Sequence, residues 1–129
     1  GDAIDPVTET DEANERYVLE AIAKRFPSHS VIGEEACAAA GSIPPLGLEP
    51  TWIIDPIDGT QNFVHACPLS CVSIGFCLNG KPAMGCVYDP YRDELFLGLA
   101  GQGAYLDGQR ISASGQTKLV SSLVLTDPG

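Results

Sequence analysis

Asp55 and Asp58 stand three residues apart, directly after the apolar run Trp52-Ile53-Ile54. Pro56 stiffens the link between them, and Gly59-Thr60 follows where a helix can start. Carboxylates on a short rigid segment are hard oxygen donors, and the first N–H groups of a helix attract anions, so this stretch suits a divalent cation and a phosphate bound side by side. A third carboxylate from another strand end would let two cations sit close together and clamp the attacking and leaving oxygens of a phosphate in line. Glu34 or Glu35 can supply it, because Val31-Ile32-Gly33 reads as a parallel or neighbouring strand that ends there. The backbone carbonyl of Ile57 offers a further oxygen of the kind hard cations accept. The Thr60 hydroxyl is placed to position a water, and Asp11, at a helix start, to take a proton from it.

Each of these residues has a plainer reading when taken singly. Asp-Pro and Asp-Gly are common turn dipeptides. Asp11 alone is a helix cap, and Glu34-Glu35 alone a solvated pair. The combination outweighs them, because every acidic group falls at the end of an apolar strand or the start of a helix.

The elements that must position these groups follow from local pattern. Thr8-Glu9-Thr10-Asp11 fits a capping box, and a helix to about Phe26 is expected after it. Its apolar face would carry Val18, Leu19, Ile22, Ala23 and Phe26, and its solvent face Glu15, Arg16, Glu20 and Lys24. Pro27-Ser28 stops it. Residues 36–50, rich in Ala, Gly and Pro, read as a surface loop. Thr51–Ile54 reads as a strand, residues 55–58 as a turn, and a short helix is expected from near Thr60 to before Pro68. Ser70–Leu78 alternates, with Val72, Ile74, Phe76 and Leu78 on one face. Asn79-Gly80 and Asp107-Gly108 are two-residue hairpin turns, and Asp89-Pro90 turns into a strand at Glu94–Leu99. A last strand is expected at Leu123–Thr126, with nothing after it to cover it. Trp52, Phe63, Phe76 and Phe96 are assigned to the core, and His29 and His65 to structural roles. The order implies an α+β fold, an antiparallel sheet layered with helices on one face.

Bulk composition narrows the function. With 129 residues, 44% of them hydrophobic, there is material for one domain and a core. A formal net charge of −10 with only seven Lys and Arg argues against nucleic acid or an anionic membrane as partner. It leaves an anionic substrate open, since bound cations reverse the local sign. Nothing approaches the run of about 20 apolar residues that a membrane helix needs. Five cysteines, an odd number without a C-x-x-C pair, read as small apolar residues of a reducing compartment, cytoplasmic or organellar. Gly1-Asp2 carries neither methionine nor signal peptide, and both ends look cut, so residues 1–129 are expected to form one incomplete domain.

The chain resembles the N-terminal half to two-thirds of an inositol monophosphatase, in the lithium-sensitive, magnesium-dependent phosphatase superfamily. The likeness rests on Val7-Thr8-Glu9-Thr10-Asp11, on Phe26-Pro27-Ser28-His29-Ser30, on Ile32-Gly33-Glu34-Glu35 and on the block from Trp52 to His65. It continues through Val72-Ser73-Ile74-Gly75 and Gly101-Gln102-Gly103-Ala104-Tyr105, and so covers nearly the whole chain. The Trp-x-x-Asp-Pro-x-Asp-Gly-Thr-x-Asn-Phe block is its most specific part.

The resemblance implies that Glu34, Asp55 and the Ile57 carbonyl ligate one Mg²⁺, and that Asp55 and Asp58 serve a second. It implies that Gly59 and Thr60 give backbone N–H groups to the phosphate and that Thr60 with Asp11 activates the water. Glu34 would also touch a more weakly held ion, and Glu35 would stand just outside the ligands. Gln61, where the family usually has threonine, and Ala66-Cys67 depart from its pattern without removing a ligand. The family draws another aspartate ligand and its sugar-recognition residues from a region beyond Gly129, and a lysine-bearing segment from before Gly1. The activity implied is Mg²⁺-dependent hydrolysis of a small polyol or sugar phosphate, first of all inositol monophosphate, inhibited by Li⁺ and carried by a homodimer when full length. Two alternatives stand beside it. One is the same chemistry on a sugar 1-phosphate, histidinol phosphate or nucleotide phosphate. The other is an inactive metal-binding or dimerising module.

Overall fold

The computed structural model describes residues 9–124. Helix α1 (Glu9–Arg25) opens them, with Glu9, Asp11 and Glu12 in its first turn and Lys24 and Arg25 in its last, charges that complement the helix dipole. Thr8 of the expected capping box lies outside the described residues. Then come β1 (Ser30–Gly33), α2 (Glu34–Ala40), β2 (Thr51–Asp58), α3 (Thr60–Val64), β3 (Cys71–Leu78), β4 (Lys81–Asp89), β5 (Glu94–Leu99), β6 (Gly103–Leu106) and β7 (Gln109–Ile111). The seven strands form one sheet in sequence order; β1 and β2 run parallel and the other neighbours antiparallel. This is an α+β architecture with a mixed sheet, α1 packed against β2 and α2 against β1 and β2.

The hairpins form where turn chemistry places them. Asn79 and Gly80 have φ of 53° and 69°, and Asp107 and Gly108 49° and 78°, the left-handed pair that a two-residue turn between twisted strands needs. At the β1 end an aromatic stack ties α1 to the sheet. The His29 ring lies 4.9 Å from Phe26 and 5.6 Å from Phe76, and the Trp52 indole N–H donates to His29 Nδ1 at 3.0 Å. His29 therefore has the structural role expected of it. His65, whose Nδ1 lies 2.8 Å from the Gln61 carbonyl, closes the end of α3.

Five expectations are corrected. Residues 36–40 of the expected loop are helical, in a helix that starts at Glu34: two glutamates in the first turn, alanines and Gly41 at φ 65° as a left-handed C-cap make a short complete helix. Residues 55–58 continue β2 through a bulge instead of forming a turn. Glu15 is buried, not on the solvent face, while Phe26 and Ala23 of the expected apolar face are exposed. Phe96 is 39% exposed, because neither α1 nor α2 packs on β5. Leu119–Ser121 form a 3₁₀ turn, and Leu123 and Val124 are not in a strand; the rest of that expected strand lies outside the described residues.

Candidate active site

Strand pairing brings the carboxylates together. In the parallel β1–β2 ladder Gly33 lies opposite Ile54, so the residues that follow, Glu34 and Asp55, emerge side by side. Across β2–β3, Asp55 pairs with Ser73 and Asp58 with Cys71, with an irregularity between them. Ser73 and Cys71 are two apart on a regular strand and share one face. Pro56 and Ile57 together therefore oppose Val72, and this extra residue puts Asp58 on the same face as Asp55. Pro56 suits the bulge, having no N–H to leave unpaired. Its burial and that of Ile57 anchor the segment.

Asp55 is half-buried, while Glu34 and Asp58 are exposed. Burial, a hydrogen bond with Glu34 and the negative charges of Glu34 and Asp58 raise the Asp55 pKa from 3.8 to about 7, against a lowering contribution from the Ile57 backbone N–H. Asp55 Oδ1 is buried without a hydrogen-bond partner. Asp58 accepts a long contact from the Cys71 thiol at 3.7 Å, and burial together with the Asp58 charge pushes that thiol up to about 11. Glu35 is raised as well, by burial first and then by the charges of Asp11, Glu34, Glu15 and Glu12. Asp11, only 1% exposed, lies near enough for its charge to act on Glu35. Among the described residues, no three His, Cys, Asp or Glu side chains are placed so that together they could hold a metal ion. The donors of Glu34, Asp55 and Asp58 are nevertheless all oxygen, and the burial and negative charge that raise the Asp55 pKa are a cost that a bound cation would relieve. The residues fit a hard divalent cation.

The turn after β2 is built on Gly59, whose φ of 89° is left-handed and whose Cβ would meet the Leu69 carbonyl at 2.9 Å. Gly59 is the N-cap of α3, and Thr60 opens that helix. The Thr60 hydroxyl donates to the Ile57 carbonyl at 3.0 Å, keeping its oxygen lone pairs available to accept. Asn62 Nδ2 donates to Leu69 O at 3.0 Å and fastens α3 to the chain that enters β3. A cavity of about 850 Å³ lies between α2 and the sheet. Its walls are largely apolar, Ile32, Ile43, Ile53 and Met84 among them, and its acidic lining residues are Glu34 and Asp55.

Two residues of this site escape a reading of the sequence. Cys71 lies beside Asp58 only through the β2–β3 register. Glu15 shares a helix face with Asp11, four residues before it, a spacing that signals common burial.

The sequence pattern of the inositol monophosphatase family matches residues 1–128. The chain belongs to the inositol monophosphatase family. Among relatives of this family, inositol monophosphatase 3 of Solanum lycopersicum is 52% identical over 126 residues, which are 98% of this chain and 47% of that protein. The solved inositol monophosphatase of Anabaena (Nostoc) is 43% identical with a TM-score of 0.74, over 87% of this chain and 43% of that one. SaIMPase-II with 2′-AMP bound is 37% identical with a TM-score of 0.77, over 88% of this chain and 42% of that one. The chain thus spans about half the length of the inositol monophosphatases it matches.

Proposed function

We propose that this chain forms the metal- and phosphate-binding half of a Mg²⁺-dependent phosphomonoesterase that acts on inositol monophosphate. The observation that carries the reading is the placement of Asp55 and Asp58 on one face beside Glu34, with the Asp55 pKa raised to about 7 by burial and those neighbours. Glu34, Asp55 and the Ile57 carbonyl would hold one Mg²⁺, and Asp55 with Asp58 the second. When bound, the ions polarise the phosphate and lower the pKa of water. Gly59 and Thr60 would direct backbone N–H groups at the phosphate. The Thr60 oxygen would accept a hydrogen bond from the attacking water, its own proton being engaged by Ile57. Asp11 would receive the proton, and Glu35 would hold negative charge just outside the ligands.

A second substrate class stays open because a relative of this fold binds 2′-AMP, and fold alone does not choose between phosphate esters. Phosphate release from inositol monophosphate and from 2′-AMP by the full-length gene product, with Mg²⁺ and with EDTA, tests the reading. Hydrolysis of the inositol ester only with Mg²⁺ is expected. Release unaffected by EDTA would refute the metal-dependent chemistry. Release from 2′-AMP alone would reassign the substrate.

A further inference from the structure

Helix α2 begins without a cap of its own. Its N-cap residue is Gly33, which has no side chain, so the first-turn N–H groups need an acceptor from elsewhere. The acceptor comes from α1, twenty residues upstream. Glu15 Oε2 accepts the Glu35 N–H at 2.9 Å, and Glu15 Oε1 accepts the Ala36 N–H at 3.0 Å. The side chain that does this is only 5% exposed. Both carboxylate oxygens are engaged by amides at the positive end of a helix, where a negative charge is favoured. Gly33 makes room for it: a Cβ there would lie 2.5 Å from the Glu15 Cδ and Oε2 and 2.7 Å from Oε1.

This cap falls at the point where β1 becomes α2, and so at Glu34. Gly33 is fixed to Ile54 by the parallel ladder, while Glu35 and Ala36 are fixed to Glu15. Glu34 stands between these two attachments and is held facing Asp55. We infer that Glu15 is a positioning residue of the metal site. It binds no ion itself but clamps the first turn of α2 so that the Glu34 carboxylate stays beside Asp55. Gly33 is the other half of the clamp, since even the Cβ of an alanine there displaces the Glu15 carboxylate, with no change of charge.

The inference rests on the metal site proposed above, and its test separates the two. Glu15→Gln keeps the size of the side chain, retains one acceptor and sets an NH₂ group against the second amide N–H. Gly33→Ala pushes the carboxylate out from the opposite side. In the full-length gene product the readouts are Mg²⁺ affinity by calorimetry, the Mg²⁺ concentration for half-maximal turnover, and hydrogen exchange at the Glu35 and Ala36 amides. Each variant is expected to weaken Mg²⁺ binding about 10–100-fold, the usual effect of removing a group that orients a ligand, and to lose protection at both amides. The double variant should be no weaker than the worse single one, because both break the same clamp. Wild-type Mg²⁺ affinity in a Glu15→Gln protein with a lowered melting temperature would overturn the inference, and so would full additivity of the two substitutions. If the wild-type protein binds no Mg²⁺, the metal reading falls. Amide exchange then decides the clamp: loss of protection in Glu15→Gln supports it, and retained protection overturns it.

Discussion

Asp55 and Asp58 stand on the same face of the sheet although they are three residues apart, because the bulge at Pro56-Ile57 inserts one residue opposite Val72. A regular strand would turn them to opposite faces, and no pair of cations could then share them. The same bulge delivers the Ile57 carbonyl to the Thr60 hydroxyl at 3.0 Å. One local irregularity therefore puts two carboxylates on one face and, beside them, a carbonyl that engages a hydroxyl.

Their unequal roles give an ordered expectation for turnover. Asp55→Asn in the full-length gene product should lower kcat by about 1,000-fold or more, since a charge-stabilising cation supplies several kcal/mol and each 1.36 kcal/mol is tenfold. Thr60→Ala should cost less, about 10–100-fold, because it misplaces a water without removing charge. Steady-state kinetics at saturating Mg²⁺ checks the order. A Thr60→Ala loss larger than that of Asp55→Asn would reverse the assigned roles.

Gly59→Ala tests the turn itself. At φ 89°, with the Leu69 carbonyl 2.9 Å from the added Cβ, the substitution meets both strain and a clash with backbone. A loss of about 1–3 kcal/mol in unfolding free energy is expected by denaturant titration. Gly85→Ala, where nothing lies within 4 Å of the Cβ position, is the matched control and should change stability much less. Equal losses at the two sites would show that the turn carries no special strain.

The elements legible in the sequence are those with a local cause. Asn79-Gly80 and Asp107-Gly108 specify their hairpins through the left-handed φ of the turn residues alone. The carboxylates and the end of β1 were legible for the same reason, since apolar runs and breakers lie beside them. What stayed hidden depends on distant partners. The bulge is defined by the register of β3, and Glu15 is buried because α2 lacks its own cap. Helix α2 was hidden differently: its seven residues carry a helical signal, acidic start, alanines and a glycine stop, that the neighbouring proline-rich stretch obscured. The exposure of Phe96 has no local sign at all, because strand alternation says which residues share a face and not whether a helix covers it.

Proton linkage at Asp55 gives a pH dependence. Its pKa rises from 3.8 to about 7 on folding without metal. The folded protein therefore binds more protons than the unfolded chain between these values, and metal-free stability should fall as pH rises from about 4 to 7. Above about 7 this contribution levels off. Mg²⁺ competes with the proton, so the stabilisation by Mg²⁺ should grow over the same window. Melting temperatures of the 129-residue chain against pH, with and without Mg²⁺, check both slopes. Asp55→Asn should flatten them, and a slope unchanged in Asp55→Asn would locate the titration elsewhere.

The most direct test is calorimetric titration of Mg²⁺ into the full-length gene product and its Asp55→Asn variant at pH above 7. Saturable binding to the wild-type protein and its loss in Asp55→Asn are expected, since both proposed ions use that carboxylate. No binding to the wild-type protein, or the same isotherm from Asp55→Asn, would contradict the two-cation site formed by Glu34, Asp55 and Asp58.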